Sequence, residues 1–173
     1  MKVTPLKIPE VKLIEPEVFT DERGFFYESF NQKQFNDAVG QEVTFVQDNQ
    51  SKSKRGVLRG LHYQEQPLAQ GKLVRVISGE VFDVAVDIRE NSATYGQWVA
   101  EILSGSNKKQ LWIPEGFAHG FLTMTDEAEF LYKTTKFYSK EHERNIHWKN
   151  NDFDILWPVV DADIVTSSKD SQP

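Results

Sequence analysis

Cysteine is absent from this chain of 173 residues, which excludes a disulfide framework, thiolate catalysis and cysteine-ligated metal. Methionine is scarce, and nowhere do about 18 apolar residues run together, so no helical membrane span is encoded. The opening MKVTPLKIPEV has no apolar stretch long enough for a signal peptide. A soluble protein of the reducing cytoplasm is expected. Excess positive charge is missing as well: the net charge is −6. A surface of that sign repels nucleic acid and anionic membrane, so neither is expected as a partner, and an anionic ligand would need a local basic pocket.

What the chain does have is a succession of short strand-like runs. The segments 73–78 (LVRVIS) and 81–88 (VFDVAVDI) flank Ser78-Gly79-Glu80, a tight-turn signal that predicts a hairpin. Further runs at 25–30, 43–49, 98–103, 110–113, 120–125 and 129–135 are separated by turns rich in glycine, proline and asparagine. The spacing of Phe35, Ala38 and Val39 fits two helical turns within 31–39. No repeat, low-complexity stretch or linker divides the chain, so residues 1–173 are read as a single domain. The expected class is all-β, an antiparallel sandwich or small barrel with a few short helices. The tail after Pro158 is mixed and polar, a composition that ordinarily leaves a terminus frayed.

The chemistry-bearing residues gather in Arg55 to Lys72, RGVLRGLHYQEQPLAQGK. Residues 57–64 read as a strand that ends before Pro67. Strict alternation puts Leu58, Gly60 and His62 on one face and Arg59, Leu61 and Tyr63 on the other. Arg59 and His62 could then share no pocket. A bulge at Gly60 would re-aim the following side chains and bring them together, and such an irregularity is expected there.

Two segments resemble the paired motifs of the cupin jelly roll: Gly56 followed by His62, and Pro114-Glu115-Gly116-Phe117-Ala118-His119. Metal-binding cupins carry a second histidine two residues after the first, where this chain has Gln64. A catalytic metal needs about three protein ligands. With His62 and His119 alone in matching positions, no metal is expected, and a metal-dependent oxygenase is disfavoured.

Nearly the whole chain, in order, resembles a narrower family, the dTDP-4-dehydrorhamnose 3,5-epimerases. The matching pieces include Asp21-Glu22-Arg23-Gly24 with Phe26 and Glu28, Gln47-Asp48-Asn49, residues 55–62 (RGVLRGLH), residues 71–74 (GKLV), residues 79–87 (GEVFDVAVD) and residues 114–121 (PEGFAHGF), then Tyr132, Tyr138, Glu143, Trp157-Pro158 and Lys169-Asp170. The resemblance implies a cupin-like jelly roll and inversion at C3 and C5 of a dTDP-linked 4-keto-6-deoxyhexose without a cofactor. It implies His62 as base, Asp170 as the carboxylate orienting it, Tyr132 as acid on the opposite face and Lys72 beside the C4 oxygen. Asp83 is the alternative orienter. Arg23 and Arg59 would hold the diphosphate and Tyr138 would stack on thymine. Glu28, Gln47, Asp48, Asn49, His119, Glu143 and Lys169 would complete the substrate contacts. Members of the family are homodimers that exchange an N-terminal strand, through which Arg23 and Glu28 could serve the partner's pocket. Pairing with His62 would also order the polar tail.

Two alternatives differ in chemistry. A mono-epimerase for another deoxysugar would invert one carbon, and a non-catalytic cupin would bind the sugar nucleotide without turnover. The complete set of base, acid and cation favours catalysis, and no departure at His62, Lys72, Tyr132 or Asp170 favours single inversion.

Overall fold

The computed structural model describes residues 1–159 and 163–171. The elements run β1 (Lys2–Pro5), β2 (Lys12–Glu15), β3 (Phe19–Asp21), β4 (Gly24–Phe26), α1 (Gln32–Val39), β5 (Gln47–Lys54), β6 (Leu58–Gln64) and β7 (Lys72–Ser78). They continue with β8 (Glu80–Asp87), β9 (Trp98–Ser104), β10 (Gln110–Ile113), β11 (Phe117–Thr123), β12 (Glu127–Thr134) and β13 (Glu143–Asn145). A six-stranded sheet in the order β1-β2-β10-β7-β12-β5 packs on a five-stranded sheet in the order β13-β6-β11-β8-β9. All strand pairs are antiparallel, and the architecture is a cupin-like jelly roll.

Three apolar layers hold it together. Between the sheets, Val74, Val76, Leu111 and Phe130 of one sheet meet Val81, Ala85, Leu103 and Phe121 of the other. Each such side chain contributes about 1.5–3 kcal/mol through removal from water. The outer face of the larger sheet is covered by α1 and its flanks, with Phe35 against Trp112, Phe30 and Phe45. The outer face of the smaller sheet is covered by the C-terminal segment, through Phe153, Ile155 and Trp157. α1 begins at Asn31, whose side chain accepts from Gln34 N–H, and ends at Gly40 in the left-handed region. The expected helix over 31–39 is thus present, and it is the single α-helix among the described residues.

Three expectations need correction. Residues 73–78 and 81–88 do not form a hairpin: β7 and β8 belong to different sheets, and Gly79, at φ 75°, carries the chain across the edge of the sandwich. The turn was legible; whether its flanking strands pair depends on partners far away in sequence. The run 25–30 is a strand over Gly24–Phe26 alone, paired with β3, because Phe30 leaves to join the aromatic cluster under α1. The run 43–49 is likewise displaced. Val43 and Phe45 pack into that cluster from a loop, and the strand is the polar stretch Gln47–Lys54.

The bulge expected at Gly60 is present. His62 pairs with His119 and Arg59 with Phe121, so Gly60 and Leu61 together oppose Gly120. Gly60 has φ 130°, and a Cβ built there would lie 2.5 Å from Gly120 Cα and 2.8 Å from the His119 carbonyl oxygen. Only glycine fits that approach. The extra residue sends Leu61 to the outer apolar layer and turns both Arg59 and His62 inward.

Candidate active site

Beyond the inter-sheet core, the sandwich opens into a cavity of about 360 Å³. The bulged β6 supplies Arg59 and His62, β11 supplies His119, and β13 supplies Glu143. From the opposite sheet come Asn49 of β5, Lys72 of β7 and Tyr132 of β12. His62 and Tyr132 therefore enter one hollow from two different sheets.

His62 Nε2 lies 2.6 Å from Asp170 Oδ1. Asp170 is 3% exposed. Burial pushes its pKa up, but the hydrogen bond and charge of His62 outweigh this and leave it lowered, with help from Ser167 and Lys169. An ionised acceptor fixes the proton on Nε2 and leaves the Nδ1 lone pair free. The tail bearing Asp170 is held by a parallel bridge between Val57 and Val165, by the Ser167 hydroxyl accepting from Asp170 N–H, and by Asn145 Nδ2 donating to the Lys169 carbonyl. The polar terminus is thus folded onto β6 as far as Ser171; Gln172 and Pro173 lie outside the described residues.

Lys72 is 7% exposed and its Nζ donates to the His62 carbonyl at 3.1 Å, spanning the gap between the sheets. Burial pulls its pKa down to about 8, against the opposing charges of Asp83 and Glu143. Tyr132 stays protonated well past neutrality, because burial raises its pKa and the Glu143 carboxylate adds to this. Asp83 does not orient His62. Both its oxygens accept from His119 Nε2, at 3.1 and 3.0 Å.

The other residues singled out in the sequence fall into three groups. Glu143 links two of them at the cavity mouth: it accepts from the Tyr138 hydroxyl at 3.0 Å and pairs with Lys169 at 2.6 Å. Burial opposes ionisation of Glu143, but these partners lower its pKa overall. Gln47 accepts from Tyr138 N–H and donates to Asn49, on the inward face of β5. Asp48, the intervening residue, faces outward and pairs with Lys133. Arg23 and Glu28 do not line this cavity. Arg23 sits exposed on the β3–β4 hairpin against Asp21, and Glu28 accepts from Gln34.

Several lining residues escaped sequence reasoning. Ser51, Gln70, Phe121 and Phe130 line the cavity, and Ser53 accepts from Arg59 Nε at 3.0 Å, fixing the guanidinium from the opposite sheet. The inward alternation of Gln47, Asn49, Ser51 and Ser53 was the available signal. Gln64 gives its amide to the carbonyls of Leu68 and Phe137 and accepts from Ser139 N–H, so its side chain is committed to backbone rather than to the cavity centre.

An imidazole backed by a carboxylate, a phenol from the facing sheet and a buried ammonium can together remove a proton, hold an oxyanion and return a proton. A jelly roll carrying this set defines a cupin-type enzyme suited to proton transfer at carbon. Comparison with known proteins makes the assignment specific. The family model for dTDP-4-dehydrorhamnose 3,5-epimerase matches residues 5–173. A Shigella flexneri protein of that name is 65% identical over 159 residues, 92% of this chain and 88% of the relative. Its Pseudomonas aeruginosa counterpart is 60% identical over 172 residues, covering 99% and 94%. Among solved structures, the 3,5-epimerase of Legionella pneumophila Philadelphia 1 in complex with dTDP-4-keto-L-rhamnose superposes with a TM-score of 0.94 at 53% identity, over 98% of this chain and 89% of that one. The chain belongs to the dTDP-4-dehydrorhamnose 3,5-epimerase family.

Proposed function

We propose that this protein inverts C3 and C5 of dTDP-4-dehydro-6-deoxy-D-glucose to give dTDP-4-dehydro-L-rhamnose, in dTDP-L-rhamnose biosynthesis. Both carbons flank the C4 ketone, so each hydrogen is acidic through an enolate. His62 takes the proton on its free Nδ1, and Asp170 stabilises the imidazolium that forms. The Lys72 ammonium lies beside the developing C4 oxyanion, where one preorganised donor is worth roughly 3–4 kcal/mol in the barrier. Tyr132 then delivers a proton to the opposite face. No redox step occurs, and no metal or cofactor is invoked.

The observation that carries the reading is the His62–Asp170 pair, 2.6 Å apart, opening into the same cavity as Tyr132 and Lys72. Arg59 binds the diphosphate, for which a guanidinium fork is suited, and the half-exposed Tyr138 ring stacks on thymine. Asn49, His119 and Glu143 contact the substrate from the cavity wall, with Gln47 and Lys169 completing that set. The whole chain works as one domain, in the cytoplasm, as a homodimer. Supporting the dimer, the β3–β4 hairpin holds Phe19, Phe25 and Phe26 at 57%, 59% and 71% exposure, more apolar area than a lone hairpin keeps in water. In the dimer this hairpin and the segment after it deliver Arg23 and Glu28 to the partner subunit.

The test is incubation with dTDP-4-keto-6-deoxy-D-glucose in deuterated water, with C3 and C5 followed by NMR. Deuterium at both carbons is expected. Label at one carbon would mean a mono-epimerase, and no label would leave a binding protein.

A further inference from the structure

Asp83 is fully buried on the inward face of β8, and among the described residues His119 is the one hydrogen-bonding partner of its carboxylate. No step above uses it. Lys72, buried across the cavity, has no carboxylate of the described residues within ion-pairing distance and rests on the His62 carbonyl. Its electrostatic neighbours are Asp83, Glu143 and Lys169. Glu143 is already engaged by Lys169 and Tyr138, which leaves Asp83, bonded to the His119 imidazole, as the acidic group with no lysine or arginine partner among the described residues. The remaining titratable groups at the cavity are Arg59, which is exposed, His62 with its partner Asp170, His119, and the tyrosines Tyr63, Tyr132 and Tyr138.

We propose that Asp83 is the counter-ion of Lys72: one buried carboxylate, held in place by His119, that keeps the buried ammonium charged in the working enzyme. The physical case is one of charge balance. Two ionisable groups of opposite sign in a dry site cost least when both are charged together, and an ammonium left alone there gives up its proton. Burial lowers the pKa of His119, against the charge and hydrogen bond of Asp83. Its Nε2–H then spans both oxygens of Asp83 and holds the carboxylate in place. Burial leaves the pKa of Asp83 raised, and the hydrogen bond to His119 and the positive charge of Lys72 are what oppose this and favour the carboxylate. Asp83 is a positioning residue in this account, since it acts on substrate through its neighbours.

The inference rests on the role given to Lys72, and its test separates the two. Replacement by Asn keeps the shape and the His119 hydrogen bond while removing the charge. For Asp83→Asn the basic limb of the kcat profile should move to lower pH by about one unit, so that the ratio of wild-type to variant kcat grows about fivefold between pH 6 and pH 8. Asp83→Glu should restore the limb. An equal loss at every pH, or an unmoved limb, would overturn the proposal. Carboxyl 13C NMR of aspartate-labelled wild type, with Asp83 assigned as the resonance altered in Asp83→Glu, gives a reading without turnover. An ionised Asp83 from pH 6 to 8 supports the counter-ion, and a protonated one contradicts it. A wild-type enzyme that fails to exchange solvent into the ketosugar would instead sink the epimerase reading, while this spectrum still judges Asp83.

Discussion

His62 and His119 stand directly opposite each other on adjacent strands, yet each is bound to a different carboxylate. His62 meets Asp170 of the C-terminal tail at 2.6 Å, and His119 meets Asp83 of β8 at 3.0 Å. The two imidazoles are thereby given different work. The His62 pair is partly open to the cavity, with the histidine side chain 31% exposed, whereas the His119 pair is 8% and 0% exposed. Substrate can reach the first, and burial disfavours a proton on the imidazole of the second.

The first prediction concerns that open pair. Asp170→Asn should leave the fold intact and lower kcat by about 10²–10⁴-fold, since the imidazole loses both its fixed tautomer and its charge partner. Steady-state kinetics with circular dichroism would check it. The folded-state pKa of Asp170 is lowered, so its stabilising contribution is present above the unfolded value and lost as pH falls through the folded one. The stability gap between wild type and variant should therefore shrink on acidification below about pH 4 in denaturant titrations.

Tyr132 faces His62 from the other sheet, and its loss should separate proton removal from proton return. Tyr132→Phe is expected to retain some deuterium exchange while inversion falls by about 10²-fold or more. NMR of the recovered sugar nucleotide distinguishes exchange with retention from inversion. Full inversion by the variant would require another acid.

Asn145 anchors the segment that carries Asp170, through its 3.2 Å hydrogen bond to the Lys169 carbonyl. Its Oδ1 has no partner among the described residues, so its amide nitrogen makes the side chain's one contact there. Asn145→Ala should lower kcat by about 2- to 10-fold, the worth of one hydrogen bond. Faster amide hydrogen exchange over residues 165–171 should accompany it.

Gly60 sets the bulge that turns Arg59 and His62 the same way. Gly60→Ala places a methyl against Gly120 Cα and the His119 carbonyl, on a backbone with φ 130°. A loss of about 2–4 kcal/mol in stability is expected. Urea denaturation would measure it, and activity should fall further than the loss of folded protein explains.

How much of this was legible in the sequence differs from element to element, for physical reasons. The bulge could be read because a glycine stood between two residues that chemistry required on one face. α1 showed its apolar spacing. β5 was misplaced because its inward face, Gln47, Asn49, Ser51 and Ser53, borders a wet cavity, so the apolar alternation that marks a strand is missing there. The turn at Gly79 was visible, but which strands pair across it is decided by β12 and β11, some 40 residues onward. The tail was folded against expectation from composition because one buried carboxylate found one imidazole, a contact across 108 positions. The partner of Asp83 was not readable at all. On β8, Asp83 pairs in register with Phe121, and its contact with His119 two positions away emerges only when β11 is laid beside it.

The central claim is that His62 removes the proton. Its most direct test is His62→Asn in deuterated water with dTDP-4-keto-6-deoxy-D-glucose, following C3 and C5 by NMR while dTDP affinity is measured by calorimetry. Exchange at both carbons should vanish with dTDP binding nearly intact; exchange continuing at the wild-type rate would contradict the mechanism.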